Sequence, residues 1–281
     1  MLEQGSPQIV EYDGLRALVF IPSWLKSGDD VRLLMWEHGS FDGDDIAIRI
    51  LQSPGVDFPF EFLDGENLII MTPVIPRNVG PDPQILERGV VFGERELTEG
   101  ERFDETLYKL IDSIRKIISD AGFEVAEKII GAGVSAGANL INRFSTLYPN
   151  LFSDVGLFCA GSYMYPAGSI KGANLSYPVG GKDLGSLGLS LNIDAIKTIR
   201  FYVYVGGEDR NPGPIGFELA GNPDLLKAYS DFAGETPVSR TKHFVEYMQS
   251  LGCDVTLEIT PGVEHVVDID VLKRFMQRVS S

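Results

Sequence analysis

Cysteine, histidine and long apolar runs are scarce in this sequence. Its 281 residues include two cysteines, Cys159 and Cys253, and three histidines. Two cysteines do not make a disulfide framework, and no group of cysteines and histidines has the spacing of a metal site. No stretch of about 18 apolar residues is present, so the sequence predicts no membrane-spanning helix. We therefore expect no metal site.

A secretory leader and an excess of positive charge are also missing. The first residues, MLEQGSPQIVEYDG, lack the basic region and apolar stretch of a signal peptide. The simplest expectation is a cytoplasmic protein, although a secreted chain trimmed of its signal would look the same. The net charge of −16 repels phosphate backbones and anionic lipid surfaces. Nucleic acid and membranes are therefore not expected as partners, and a homo-oligomer is left open.

Short apolar runs alternate with helical patterns along the chain. Runs of strand length lie at residues 15–21, 31–38, 67–71, 128–134, 154–158, 199–206 and 255–259. Patterns with helical spacing lie at residues 104–121, 136–148, 235–251 and 268–279. This alternation predicts a single α/β domain over residues 1–281, with a mostly parallel sheet covered by helices on both faces.

Two stretches, residues 73–102 and 211–240, interrupt the alternation. Both are rich in Pro, Gly and charged residues, and each directly follows a predicted strand. Loops after the carboxyl ends of parallel strands surround the ligand crevice in open α/β sheets. We therefore expect both insertions to line the active site, with plain surface decoration as the alternative.

A G-x-S-x-G motif lies at residues 133–137, which read Gly-Val-Ser-Ala-Gly. A predicted strand runs into the motif and a predicted helix leaves it, which is the context of a nucleophile elbow. The two glycines avoid clashes that side chains would make with the neighbouring strand and helix. Ser135 is therefore the predicted nucleophile. A glycine-rich phosphate or packing turn is the alternative, although the G-x-G-x-x-G spacing and a phosphate-loop lysine are missing.

A serine nucleophile needs a base, and His265 is the best placed of the three histidines. His265 follows the last predicted strand, whereas His243 lies inside a helical pattern and His38 ends an early strand. Asp209 follows the strand at residues 199–206, so we predict that it orients the imidazole, with Glu208 as its chief rival.

Acyl transfer also needs N–H donors that meet the developing oxyanion. The backbone N–H of Ala136, next to the predicted nucleophile, is one candidate. The second donor is expected in the loop that follows an early strand, where Gly39 allows close approach of the backbone. Either Ser40 or Phe41 offers that N–H, and an ordinary turn is the alternative.

Gly39 and two side chains are the candidates for contact with substrate. Tyr163 is expected near the site, where it would help to form an apolar pocket. Arg77 is a candidate partner for a substrate carboxylate. Packing beneath the loops is the alternative for Tyr163, and surface ion pairing is the alternative for Arg77.

The segments WEHGS, GVSAG, GGED and GVEH, in that order, resemble the α/β-hydrolase superfamily. The stretch GVSAGANLINRFSTLYPNLFSDVGLFCAGSYMYP more closely resembles the esterases grouped with polyhydroxyalkanoate depolymerases. The resemblance implies an α/β-hydrolase fold and a triad of Ser135, Asp209 and His265. This is the order in which that superfamily places its nucleophile, acid and base.

The resemblance implies a serine esterase that acts on carboxylic esters through an acyl-enzyme. The signals and disulfides of many secreted polymer-degrading members are missing here, as is the HGGG form of the oxyanion loop. A small-molecule ester is therefore the expected substrate. The alternatives are a thioester, amide or lactone hydrolase, an acyltransferase, and a non-catalytic ligand-binding protein on the same fold.

Overall fold

The computed structural model describes residues 2–39, 63, 65–75, 85–92 and 102–280. Within these ranges the strands are β1 (Gln8–Tyr12), β2 (Leu15–Phe20), β3 (Asp30–Glu37), β4 (Leu68–Val74), β5 (Glu124–Val125), β6 (Ile129–Val134), β7 (Phe152–Phe158), β8 (Ser169–Ile170), β9 (Ala173–Asn174), β10 (Arg200–Gly206) and β11 (Asp254–Thr260). The helices are α1 (Arg88–Val91), α2 (Phe103–Asp120), α3 (Ala136–Leu147), α4 (Ile193–Ile196), α5 (Ile215–Glu218), α6 (Pro223–Ala233), α7 (Pro237–Ser250) and α8 (Ile269–Ser280).

The central sheet has the strand order β1-β2-β4-β3-β6-β7-β10-β11, with β5 paired to β3. Strand β2 runs antiparallel to both β1 and β4, and the remaining neighbours in the sheet are parallel. Strands β8 and β9 form a separate antiparallel pair. The carboxyl ends of the parallel strands therefore lie along one edge of the sheet, which is where ligands bind in such sheets.

Both faces of the sheet are buried, and alternate residues of β3 show this directly. Leu33 and Met35 pack in a cluster with apolar residues of α2 and α3. Leu34 and Trp36, on the opposite face, pack in a second cluster with residues of α8. Because successive side chains of a strand point to opposite faces, a strand that is buried on both faces has a continuous apolar run. This confirms the predicted mostly parallel sheet with helices on both faces.

Each predicted strand and helix overlaps an observed element, but residues 211–240 are more regular than expected. The segment 223–233 forms the helix α6. Asn222, which precedes the helix, caps it by accepting a hydrogen bond from the backbone N–H of Leu225. Pro223 occupies the first helical turn, where a missing N–H costs nothing. Among the described residues, no helix is both long enough and apolar enough to cross a membrane.

Candidate active site

Ser135 lies at the turn between strand β6 and helix α3. Its backbone has φ 54° and ψ −113°, outside the regions that residues with a side chain prefer. The Ser135 N–H donates to the carbonyl of Phe158, which ties the turn to the end of β7. The structure therefore places Ser135 on a strained strand-to-helix turn at the carboxyl edge of the sheet.

The two glycines of the motif are required by close backbone contacts. A Cβ atom on Gly133 would lie 2.4 Å from the carbonyl carbon of Gly137. A Cβ atom on Gly137 would lie 2.5 Å from the carbonyl oxygen of Glu37, in the neighbouring strand. Only glycine at these positions lets the helix leave the sheet so close to both strands.

A chain of hydrogen bonds links Ser135, His265 and Asp209. Ser135 Oγ lies 2.9 Å from His265 Nε2, and His265 Nδ1 lies 2.7 Å from Asp209 Oδ2. The other carboxylate oxygen of Asp209 accepts from the Asn211 N–H at 2.9 Å. The Asp209 side chain is buried, whereas the His265 side chain is 27% exposed. The imidazole therefore lies between a serine hydroxyl and a buried carboxylate, as serine-nucleophile chemistry requires.

The loops after β10 and β11 hold Asp209 and His265 together through backbone bonds. The Gly207 N–H donates to Thr260 O, and the Glu208 N–H donates to Val263 O, both at 2.8 Å. The Glu208 side chain is 56% exposed and lies 3.5 Å from the Arg210 guanidinium. The rival carboxylate is therefore on the surface, and Asp209 is the one that faces the imidazole.

Two of the predicted oxyanion elements lie within the described residues. The first backbone bond of α3 is donated by Asn139 N–H to Ser135 O at 3.2 Å. The N–H of Ala136 precedes this bond and has no carbonyl partner inside the helix. Gly39 lies against Ser135, since a Cβ atom there would be 3.6 Å from Ser135 Cβ. Ser40 and Phe41 lie outside the described residues.

Of the two expectations for Tyr163, an apolar pocket and packing beneath the loops, the structure shows the packing. Its side chain is fully buried, and its ring stacks on Phe244 with the centroids 4.3 Å apart. Its hydroxyl is 2.9 Å from Thr241 Oγ1, and burial raises the pKa of that hydroxyl. Tyr163 therefore packs in the core against helix α7, which carries both Thr241 and Phe244. Arg77, the other side chain expected to bind substrate, lies outside the described residues.

The two other histidines stand apart from this chain of hydrogen bonds. His243 lies in helix α7, where its Nδ1 is 3.3 Å from the Tyr165 hydroxyl. Burial lowers its pKa. His38 is buried at the end of β3.

Two residues near the site were not predicted. Cys159 directly follows β7, and its Sγ lies within 4.8 Å of ligand atoms of Asp209 and His265, a group of donors that could hold a metal ion. Glu37 ends β3 and is fully buried, and among the described residues neither of its carboxylate oxygens has a hydrogen-bond partner. Burial raises the pKa of Glu37 well above its ordinary value. Their positions at strand ends were visible in the sequence, but their surroundings depend on the strand order.

No family model matches the sequence, and no curated protein matches it either. Solved structures do match over almost the whole chain. A poly(aspartic acid) hydrolase from Sphingomonas sp. KT-1 matches with a TM-score of 0.62 and 18% identity, over 99% of this chain and 97% of that one. A poly(3-hydroxybutyrate) depolymerase from Bordetella parapertussis matches with a TM-score of 0.65 and 18% identity, over 99% and 90% of the two chains.

An esterase from Thermogutta terrifontis, phosphorylated by paraoxon, matches with a TM-score of 0.54. Its identity is 14%, over 99% of this chain and 93% of that one. Together with the strand order and the turn at Ser135, these matches show that the chain has the α/β-hydrolase fold, as its motifs predict.

Proposed function

We propose that this protein is a serine hydrolase that cleaves small carboxylic esters through an acyl-enzyme. The hydrogen-bond chain from Ser135 Oγ through His265 to Asp209 carries this proposal. The similar structures are named as esterases and polymer hydrolases, which supports the same reaction class. A single domain over residues 1–281 suffices, and the reaction needs no cofactor.

Acylation begins at Ser135. His265 Nε2 accepts the hydroxyl proton as Oγ attacks the ester carbonyl carbon, and the resulting imidazolium is stabilised by Asp209. Asp209 also fixes the tautomer, because Nδ1 carries the proton that faces the carboxylate and leaves Nε2 free to accept. The imidazolium then gives its proton to the leaving alcohol.

The tetrahedral intermediate places negative charge on the former carbonyl oxygen. The Ala136 N–H is one donor for this charge, and a fixed donor of this kind is worth about 10²- to 10³-fold in rate. The second donor is assigned to Ser40 or Phe41, which follow Gly39 in the sequence. Water then attacks the acyl-enzyme with His265 again as base, and Ser135 is regenerated.

The proposal is tested by covalent labelling with a fluorophosphonate. Intact mass should show one adduct on the wild type and none on Ser135→Ala. Ser250, at the exposed end of α7, offers a matched control. Ser250→Ala should label like the wild type. Hydrolysis of p-nitrophenyl acetate and butyrate should disappear with the adduct.

The outcomes separate the competing functions. Labelling without hydrolysis of either ester, together with turnover of thioester, amide or lactone probes, would move the proposal to that leaving group. Neither adduct nor turnover on a folded protein would overturn the hydrolase and leave a ligand-binding protein on this fold.

A further inference from the structure

Three potential metal ligands meet beside the proposed nucleophile. A thiol sulfur from Cys159, a carboxylate oxygen from Asp209 and an imidazole nitrogen from His265 all lie within 4.8 Å of one another. Each comes from the carboxyl end of a different strand, β7, β10 or β11, and these strands are neighbours in the sheet. No spacing along the sequence indicates this group, because the fold alone assembles it.

Hydrogen bonds position Cys159 beside the His265 loop. Its backbone has φ 53°, and its N–H donates to Tyr204 O at 2.8 Å, which fixes it to β10. Its thiol donates at 3.8 Å to the carbonyl oxygen of Val266, the residue that follows His265. The sulfur therefore lies beneath the His265 loop. A cation can reach it from solvent past the imidazole of His265, which is 27% exposed.

The chemistry of these donors matches a borderline-soft divalent cation. Thiolate, imidazole and carboxylate are the ligands that Zn²⁺ takes in proteins, at about 2.0–2.3 Å. Tetrahedral coordination at those lengths places ligand atoms roughly 3.5 Å apart, so the group closes around a metal with shifts of about 1 Å. The net charge of −16 also favours the approach of cations.

We propose that Cys159, Asp209 and His265 form an inhibitory site for Zn²⁺ and the softer Cd²⁺. A metal bound to Asp209 and His265 Nδ1 takes the place of the proton between them. The inhibition rests on the proposed hydrolase function, whereas the binding does not.

The proton balance explains why this binding stops the reaction. The Cys159 thiol releases its proton to solvent as sulfur binds the metal, and the Nδ1 proton of His265 moves to Nε2. One proton is therefore released for each metal bound. Nε2 then carries a hydrogen and faces Ser135 Oγ as a donor, so it cannot accept the hydroxyl proton.

Cd²⁺ titration of the whole protein tests the binding without any reference to activity. The wild type should develop one equivalent of sulfur-to-metal charge-transfer absorption in the ultraviolet. Cys159→Ser should show none. Cys253→Ser is the matched control, because Cys253 is also a buried free cysteine but precedes β11, at the opposite edge of the sheet.

Zn²⁺ inhibition of fluorophosphonate labelling tests the consequence. Loss even of outer-sphere partners weakens metal sites about 10- to 100-fold. The half-inhibiting Zn²⁺ concentration, measured against each variant's own metal-free rate, should therefore rise at least about tenfold in Cys159→Ser. It should be unchanged in Cys253→Ser, and EDTA should restore labelling.

Cys159→Ala serves as a second variant if the serine side chain disturbs folding, which circular dichroism will show. Absence of the absorption band in the wild type, or a band that persists in a folded Cys159 variant, would overturn the site. A band without inhibition would place the metal on Cys159 away from His265 and would also overturn it. If the metal-free protein is not labelled, the proposed hydrolase function is overturned. The Cd²⁺ titration then still tests metal binding by itself.

Discussion

Gly137 lies directly against the carbonyl group of Glu37, and the turn at Ser135 depends on this contact. A methyl group on Gly137 would lie 2.5 Å from that carbonyl oxygen, and the two residues belong to a regular helix and a regular strand. The neighbouring strand cannot move away without disturbing the sheet. The position of helix α3, and with it that of Ser135, therefore depends on the missing side chain.

Gly137→Ala should lower the free energy of unfolding by about 1–3 kcal/mol, because overpacking costs that much. It should also slow fluorophosphonate labelling up to about 100-fold, since a displacement of about 1 Å at the reacting atom has that effect. Gly185→Ala is the control, because a Cβ atom there meets nothing within 4 Å. Wild-type labelling by Gly137→Ala would contradict the role of this contact.

The buried carboxyl of Glu37 makes stability depend on pH. Its pKa is raised well above the ordinary 4.5 in the folded state. As pH rises above 4.5, the unfolded chain releases this proton while the folded protein retains it. Stability is therefore lost through that window, by about 1.4 kcal/mol per pH unit. The loss ends once pH passes the raised pKa.

Glu37→Gln removes this titration. The difference in unfolding free energy between the variant and the wild type should grow in the variant's favour from pH 4.5 upward, as measured by urea unfolding at several pH values. Glu11→Gln, at an exposed position in β1, is the control for replacing a surface glutamate. Parallel curves for Glu37→Gln and wild type would mean that the carboxyl finds a partner when ionised.

The sequence predicted the sheet because its parallel strands are buried on both faces. In strand β10, Arg200 is partly buried and every residue from Phe201 to Gly206 is buried, so the apolar run is unbroken. Strand β1 escaped prediction because only Val10 in it is buried. Helix α6 was missed because the Pro and Gly around it favoured an irregular loop. Its apolar residues do follow helical spacing, so that signal was available.

The proposed triad residues were predictable because each follows a strand, and parallel strands end at one edge. Which side chains meet there depends on the strand order, which local patterns do not contain. Cys159 illustrates this, because only the adjacency of β7, β10 and β11 brings it to Asp209. Tyr163 illustrates the converse: a position near the site says nothing about the direction of the side chain.

Tyr163→Phe should act on stability rather than on catalysis. It leaves Thr241 Oγ1 without its partner at 2.9 Å in a fully buried environment, which costs about 1–3 kcal/mol. The double variant with Thr241→Val should lose less free energy of unfolding than the two single variants together, because both polar groups are then removed. A raised KM with unchanged stability would return Tyr163 to the substrate pocket.

Asp209 and Glu208 offer the sharpest comparison, because adjacent carboxylates have opposite surroundings. The buried Asp209 is 2.7 Å from His265 Nδ1, while Glu208 is 56% exposed beside Arg210. Asp209→Asn presents an amide that favours the wrong imidazole tautomer, so kcat for p-nitrophenyl acetate should fall about 10³- to 10⁴-fold. Glu208→Gln should retain the wild-type kcat, because its backbone N–H still donates to Val263 O. If kcat fell as far in Glu208→Gln as in Asp209→Asn, the role of the acid would have to be reassigned to Glu208. If kcat fell in neither variant, His265 would act without an acid, and the hydrogen bond at Nδ1 would contribute only to the stability of the fold.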